Sequence, residues 1–270
     1  RRSGSDSGAG LQVLDANTAA RVAPGSPGRV RGGACTGSLY LALDRHALRV
    51  IDPSAPARPR VTALWSASGS LDEVAFDGHH AYVALQMDQV SSVALVLQAL
   101  DYSVPSDPRE AGDLSLTGEP RRLRVRSGTA FIAGQEALDP LSPFKHRAAL
   151  WIADVCDPEH PRLRATYYPW GAHRDQSVME DVWVDGDTGY VLSQVHDESP
   201  THVSVMDLSD LDHPKAIVST TVPGTATRLA HVGRTLYVTG DAIPWDQPNP
   251  TLWIMDISRA DDIHIAATVP

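Results

Sequence analysis

The residues with the most chemical reach lie in stretches rich in turn formers. YPWGAHRDQSVM (168–179) carries Trp170, His173, Arg174 and Asp175. HDESPTH (196–202) carries His196, Asp197, Glu198 and His202, and DAIPWDQPNPT (241–251) carries Asp241, Trp245 and Asp246. Imidazoles and carboxylates are ligands for divalent cations, and they also orient polar ligands. A metal site here would use His173, Asp175, His196 and Asp197, and its chemistry would be metal-assisted hydrolysis or elimination. The competing reading is loop polarity facing water. HDESPTH lacks the spacing of a zinc-protease helix, and Pro200 would break such a helix. DGDTG (185–189) has part of a calcium-loop pattern without the remaining ligands, and it aligns with hairpin turns elsewhere in the chain. No G-x-S-x-G elbow, P-loop or CxxC motif is present, so nucleophilic catalysis has no sequence signature.

Charge narrows the partners. The 270 residues carry a formal net charge of −10, which excludes nucleic acid and anionic membrane surfaces as expected partners, because phosphate binding needs a basic face. No apolar run approaches the ~20 residues of a membrane helix. Residues 1–10, RRSGSDSGAG, read as a flexible linker, compatible with a lipid or surface tether upstream of residue 1. The two cysteines, Cys35 and Cys156, fall in non-adjacent repeats and are expected as unpaired thiols.

The elements that would position these residues come from internal repetition. A short strand closing on Asp recurs as LQVLD (11–15), LRVID (48–52), VLQALD (96–101), LWIAD (150–154), VSVMD (203–207) and LWIMD (252–256). Before it runs an aromatic strand, LYLAL (39–43), AYVAL (81–85), AFIAG (130–134), GYVLS (189–193) and LYVTG (236–240), which aligns Tyr40, Tyr82, Phe131, Tyr190 and Tyr237. Earlier still come DEVAFDGHH (72–80), RRLRVRSGT (121–129), EDVWVDGDT (180–188) and TRLAHVGRT (227–235), each ending in a turn. A fourth strand follows the Asp, as in HPRLRATYY (160–168). The closing Asp is expected to cap the backbone of its turn, with Pro fixing φ beyond it.

Four short strands in a unit of about 45–50 residues are the signature of a propeller blade. The fold expected is therefore all-β, a β-propeller of four-stranded antiparallel blades. The units are about 11–23, 29–68, 71–118, 120–169, 178–223 and 226–270. Six blades is the expectation and seven the alternative. Residues 11–23 would supply outer strands to the closing blade, whose inner strands the sequence does not contain.

LWIADVCDPEHP and LDEVAFDGHHAYVA carry a pattern that resembles the LVIVD repeat of bacterial and archaeal surface or secreted propellers. The resemblance implies a propeller and an extracellular or cell-surface location, the periplasm included. It implies no defined activity. It departs from the pattern at VLQALD and at the Gly-rich stretch 30–38.

In such a ring, the links from second to third strand and from blade to blade share one end. The variable ones (86–93, 134–148, 194–202, 241–251 and 168–179) fall there, and function concentrates in loops on a rigid scaffold. Alignment of the innermost strands places Arg31, Glu73, Arg122, Asp181 and Arg228 at one level, preceded by Val30, Asp72, Arg121, Glu180 and Thr227. Two readings stay open: ion pairs between adjacent blades, and an axial pocket for a charged small ligand. The functional expectation is a non-catalytic surface or secreted binding scaffold that takes a protein or glycan at the loop-rich end. Trp170 and Trp245 would be aromatic anchors and Arg31, Glu73, Arg122, Asp181, Arg228, His173 and Arg174 further contacts. No cofactor is predicted. The alternative is the metal-assisted hydrolase or lyase, with a divalent cation.

Overall fold

The structure, a computed structural model, describes residues 32–36, 39–52, 54–55, 59–89, 92–139, 145–170, 176–195, 200–242, 249–259 and 261–270. These residues contain strands and no helix. They form five antiparallel sheets of four sequence-adjacent strands each. The first holds β1 (Gly32–Thr36), β2 (Leu39–Leu43), β3 (Ala47–Asp52) and β4 (Arg60–Ser66). The second holds β5 (Ser70–Phe76), β6 (His80–Gln89), β7 (Ser92–Asp101) and β8 (Arg109–Thr117). The third holds β9 (Glu119–Arg126), β10 (Thr129–Ala137), β11 (His146–Asp154) and β12 (Arg162–Tyr167). The fourth holds β13 (Ser177–Asp185), β14 (Thr188–Val195), β15 (Thr201–Asp207) and β16 (Lys215–Val222). The fifth holds β17 (Thr225–Val232), β18 (Thr235–Asp241), β19 (Pro250–Arg259) and β20 (Asp262–Val269).

Each sheet packs on the next through its own apolar layer. Leu41, Leu48 and Val50 meet Leu71 and Val83 between the first and second sheets. Tyr82 and Leu97 meet Ile132 and Trp151 between the second and third. Phe131 and Leu150 meet Val182 and Met206 next, and Val203 and Val205 meet Leu236 and Trp253 last. Burial on both faces explains the near-continuous apolar runs of the middle strands: six successive residues of β10 from Thr129 are buried. The outer strand β12 is exposed over its first three residues. The innermost strands β5, β9, β13 and β17 lie side by side in that order, which is the propeller arrangement.

Two expectations change. Five sheets are described where six blades were expected; the sixth Asp strand, 11–15, lies outside the described residues, and ring closure is not among the contacts seen. Tyr40 does not hold the place of its sister aromatics. Tyr82, Phe131, Tyr190 and Tyr237 pair with Ala99, Ile152, Val205 and Ile254, two residues before each closing Asp. Tyr40 pairs with Ile51, one residue before Asp52, and Leu41 takes the aromatic's place opposite Val50. The cause is the tight turn at 44–47, where Asp44 accepts from the backbone N–H of His46 and Ala47 at 3.1 and 3.0 Å. A one-residue change of register sends every side chain to the other face.

The Asp–Pro turns behave as expected. Asp52, Asp101, Asp154, Asp207 and Asp256 each accept the N–H of the residue two further on, at 2.7–3.0 Å. His160 and His213 pair with Asp157 and Asp210 in the same turn of two sheets, both at 3.0 Å. Of the two thiols expected to be unpaired, Cys156 is free and exposed; the Cys35 side chain lies outside the described set.

Candidate functional site

The two ends of the molecule differ. At one end the first-to-second links are hairpin turns such as Ser127–Gly128, Gly186–Asp187 and Gly233–Arg234, joined by the uniform Asp–Pro turns. At the other end run the links 138–145, 196–200 and 242–249 and the passage 168–176. The expected 86–93 loop is mostly strand, because β6 and β7 pair as far as Gln89 and Ser92.

The innermost strands begin at the loop-rich end, and β5, β9, β13 and β17 each carry a β-bulge at the same level. Pairing with the second strand steps from Leu71–Leu85 to Glu73–Ala84, and from Pro120–Gly134 to Arg122–Ala133. It steps from Met179–Ser193 to Asp181–Leu192, and from Ala226–Gly240 to Arg228–Thr239. The extra residues are Asp72, Arg121, Glu180 and Thr227. A bulge turns two successive side chains out of strict alternation and re-aims them. Gly134 and Gly240 permit it in two sheets: a Cβ at either would collide with the backbone oxygen of Glu119 or Thr225.

The residue after each bulge was the sequence-derived level, and the structure divides that level in two. Arg122 Nη1 donates to both carboxylate oxygens of Glu73 at 2.9 and 3.0 Å, and its Nε donates to Asp181 Oδ1 at 3.1 Å. Asp181 is wholly buried. Its Oδ1 also accepts from Val182 N at 2.8 Å, while Oδ2 accepts from Leu229 N at 2.9 Å. Glu73, Arg122 and Asp181 thus tie the second, third, fourth and fifth sheets together. Desolvating these charges costs energy, and the pairing with the added backbone donors offsets it. Burial holds Glu73 above its ordinary value, with Arg122, Arg228 and Arg124 pulling it back down.

Arg228 does not join that network. It is exposed, and its Nη1 donates to the neighbouring Thr227 carbonyl at 2.7 Å. Arg121 is exposed too, and neither arginine forms an ion pair with any described residue. Glu180 accepts from Gln194 Nε2 at 2.9 Å. Together with Asp72, Glu73, Pro120 and Thr227, these residues line a recess of ≈ 610 Å³ at the loop-rich mouth of the axis.

Sequence reasoning missed Arg124, whose signal was the alternation Arg122, Arg124, Arg126 in RRLRVR. Its guanidinium lies 5.3 Å over the Trp183 ring and 3.9 Å from Asp181, and burial pulls it below its ordinary value. It missed a second network on the loop-rich rim as well. There the Arg147 guanidinium lies 3.7 Å over the Tyr168 ring and its Nε donates to Glu136 at 2.7 Å, while Tyr168 Oη donates to Glu136 at 3.2 Å.

Trp170, expected as an exposed anchor, is half-buried. It packs against the layer between the third and fourth sheets and stands edge-on to His202 at 5.3 Å. His231 of β17 stacks on Tyr190 at 5.2 Å with Nδ1 3.7 Å from Asp185. Arg31, His173, Arg174, Asp175, His196, Asp197 and Trp245 lie outside the described residues. Among the described residues no three His, Cys, Asp or Glu side chains converge as metal ligands, and no helix is long and apolar enough to cross a membrane.

No protein-family model and no curated protein matches the chain. Solved structures do. Hydrazine synthase from Kuenenia stuttgartiensis superposes with a TM-score of 0.65 at 14% identity, over 90% of this chain and 69% of its own. AztD from Citrobacter koseri superposes with a TM-score of 0.56 at 11% identity, over 96% of this chain and 78% of its own. Both are β-propeller-like, and likeness at such identity shows the fold alone.

Proposed function

We propose that this chain is a non-catalytic binding propeller of the LVIVD-repeat kind, working at the cell surface or outside the cell, which presents its loop-rich end to a protein or glycan. The observation that supports this most is the difference between the two ends. Uniform capped turns close one, and at the other end the strands are joined by longer links and the first residues of the innermost strands line a recess. Rigid sheets holding variable links at one end are the usual arrangement of a recognition face. The placement outside the cell rests on the repeat resemblance.

The test replaces the link 168–176 with the short turn that joins β16 to β17. Wild type and variant are compared on a glycan array and by crosslinking at the surface of source cells. Loss of capture with an unchanged near-ultraviolet spectrum is expected. Equal capture by both removes the loop-rich end from the reading. No specific observation favours the metal-assisted alternative. Elemental analysis of purified protein is expected to find no stoichiometric metal, and one zinc per chain would reverse that preference.

A further inference from the structure

We propose that the axial recess is a binding site for a small zwitterion, a molecule bearing a carboxylate and an ammonium group a few bonds apart. The proposal concerns a small molecule seated inside the rim, and it stands or falls separately from the macromolecular partner proposed above.

Charge order around the mouth carries it. Passing from sheet to sheet, the bulges present Asp72, then Arg121, then Glu180, then Thr227 with Arg228 beside it. One step deeper, opposite charges satisfy each other: Glu73, Arg122 and Asp181 are joined at 2.9–3.1 Å. At the mouth, Arg121 and Arg228 form no ion pair with any described residue, and both are exposed. Two guanidinium forks therefore face the recess with donors to spare, and such forks match a carboxylate through paired hydrogen bonds. Asp72 and Glu180 stand on the sheets to either side of Arg121, and Glu180, whose Oε1 accepts from Gln194, turns its second oxygen to an ammonium group.

The mixed signs also select against simpler ligands. A pure anion would meet Asp72, Glu73 and Glu180, and a pure cation would meet Arg121 and Arg228. A molecule carrying both charges can place each against its opposite, which gives specificity through repulsion of the alternatives. The recess, at ≈ 610 Å³, lies within the roughly 300–1,000 Å³ usual for small-molecule sites. The bulges sit in strands held by ladders on rigid sheets, so the charged groups are positioned before any ligand arrives.

The test is ligand-observed NMR of the intact chain against the free amino acids, followed by calorimetry with the best binder. Its N-acetyl derivative, an anion, and its carboxamide, a cation, are the paired controls. At least one amino acid is expected to bind, with both derivatives weaker by about tenfold or more. Arg228→Ala and Arg121→Ala are expected to weaken binding by a similar factor without changing the unfolding midpoint, because both side chains are exposed. Glu180→Gln should weaken the amino acid while leaving the N-acetyl derivative unchanged. Absence of binding by every amino acid, equal binding of either derivative, or full affinity in Arg228→Ala overturns the proposal.

Discussion

Asp181 shows how one side chain can serve three sheets. Its carboxylate has no exposed surface, yet it accepts from two backbone N–H groups and one guanidinium. Removing it would leave Arg122 and Arg124 facing a void and Leu229 N–H without its acceptor. Asp181→Ala is therefore expected to lower stability by about 3–5 kcal/mol, the usual result of breaking a buried ionic network from one side. Urea unfolding measures it, and a loss under about 1 kcal/mol would refute the keystone role. Glu73 makes a prediction with a sign. Its folded value is raised above 4.5 because burial outweighs its cationic neighbours. An acid so raised holds its proton more tightly when folded, so its contribution to stability is full below about pH 4.5 and is lost as the pH rises through the raised value. Glu73→Gln should flatten that decline in unfolding free energy as the pH rises above about 4.5; an unchanged slope would count against it.

Turns and bulges are the elements that give the blade its form. The turn after each Asp strand rests on a carboxylate held below its ordinary value, and in Asp154 the backbone N–H of Cys156 is the leading cause. A lowered acid has the opposite sign to Glu73: its stabilisation is present above 3.8 and is lost as the pH falls through the folded value. Asn can make the same turn without a charge. Asp154→Asn should therefore keep the turn, be somewhat less stable than wild type at neutral pH, and lose less stability on acidification below about pH 4 in a thermal-unfolding series. Where β8 passes to β9, Gly118 has φ +141°, and a Cβ there would strike the Gln135 carbonyl. Gly118→Ala is expected to cost about 1–3 kcal/mol, again read by urea unfolding. The bulges were invisible in advance for a plain reason: an alignment of strands shows that two charged positions adjoin, and only pairing shows that one of them is an inserted residue.

At the scale of the molecule, four apolar layers join five sheets. Among the described residues the second, third and fourth sheets are covered on both faces, while the first and fifth are covered on one. The fifth sheet shows the consequence. Tyr237, Leu252 and Ile254 are half-buried, whereas their fourth-sheet counterparts Tyr190, Val203 and Val205 are buried. Local opening costs less where fewer apolar contacts are broken. Amide exchange is therefore expected to be slowest in β6, β7, β10, β11, β14 and β15 and faster in β18 and β19; uniform protection would contradict this layering. The amino-acid sequence by itself determined the repeating four-stranded unit, the capped Asp turns and the level at which charges approach the axis. Each of these depends on contacts between residues close in the chain, so spacing and residue type suffice to express them. Only the tertiary structure decided that Tyr40 and Leu41 exchange faces, that Trp170 packs inward, and that Arg122 joins the buried network while Arg228 stays outside it. Those outcomes depend on register and on which carboxylate a neighbouring sheet brings within reach, and no single strand encodes the position of its neighbour.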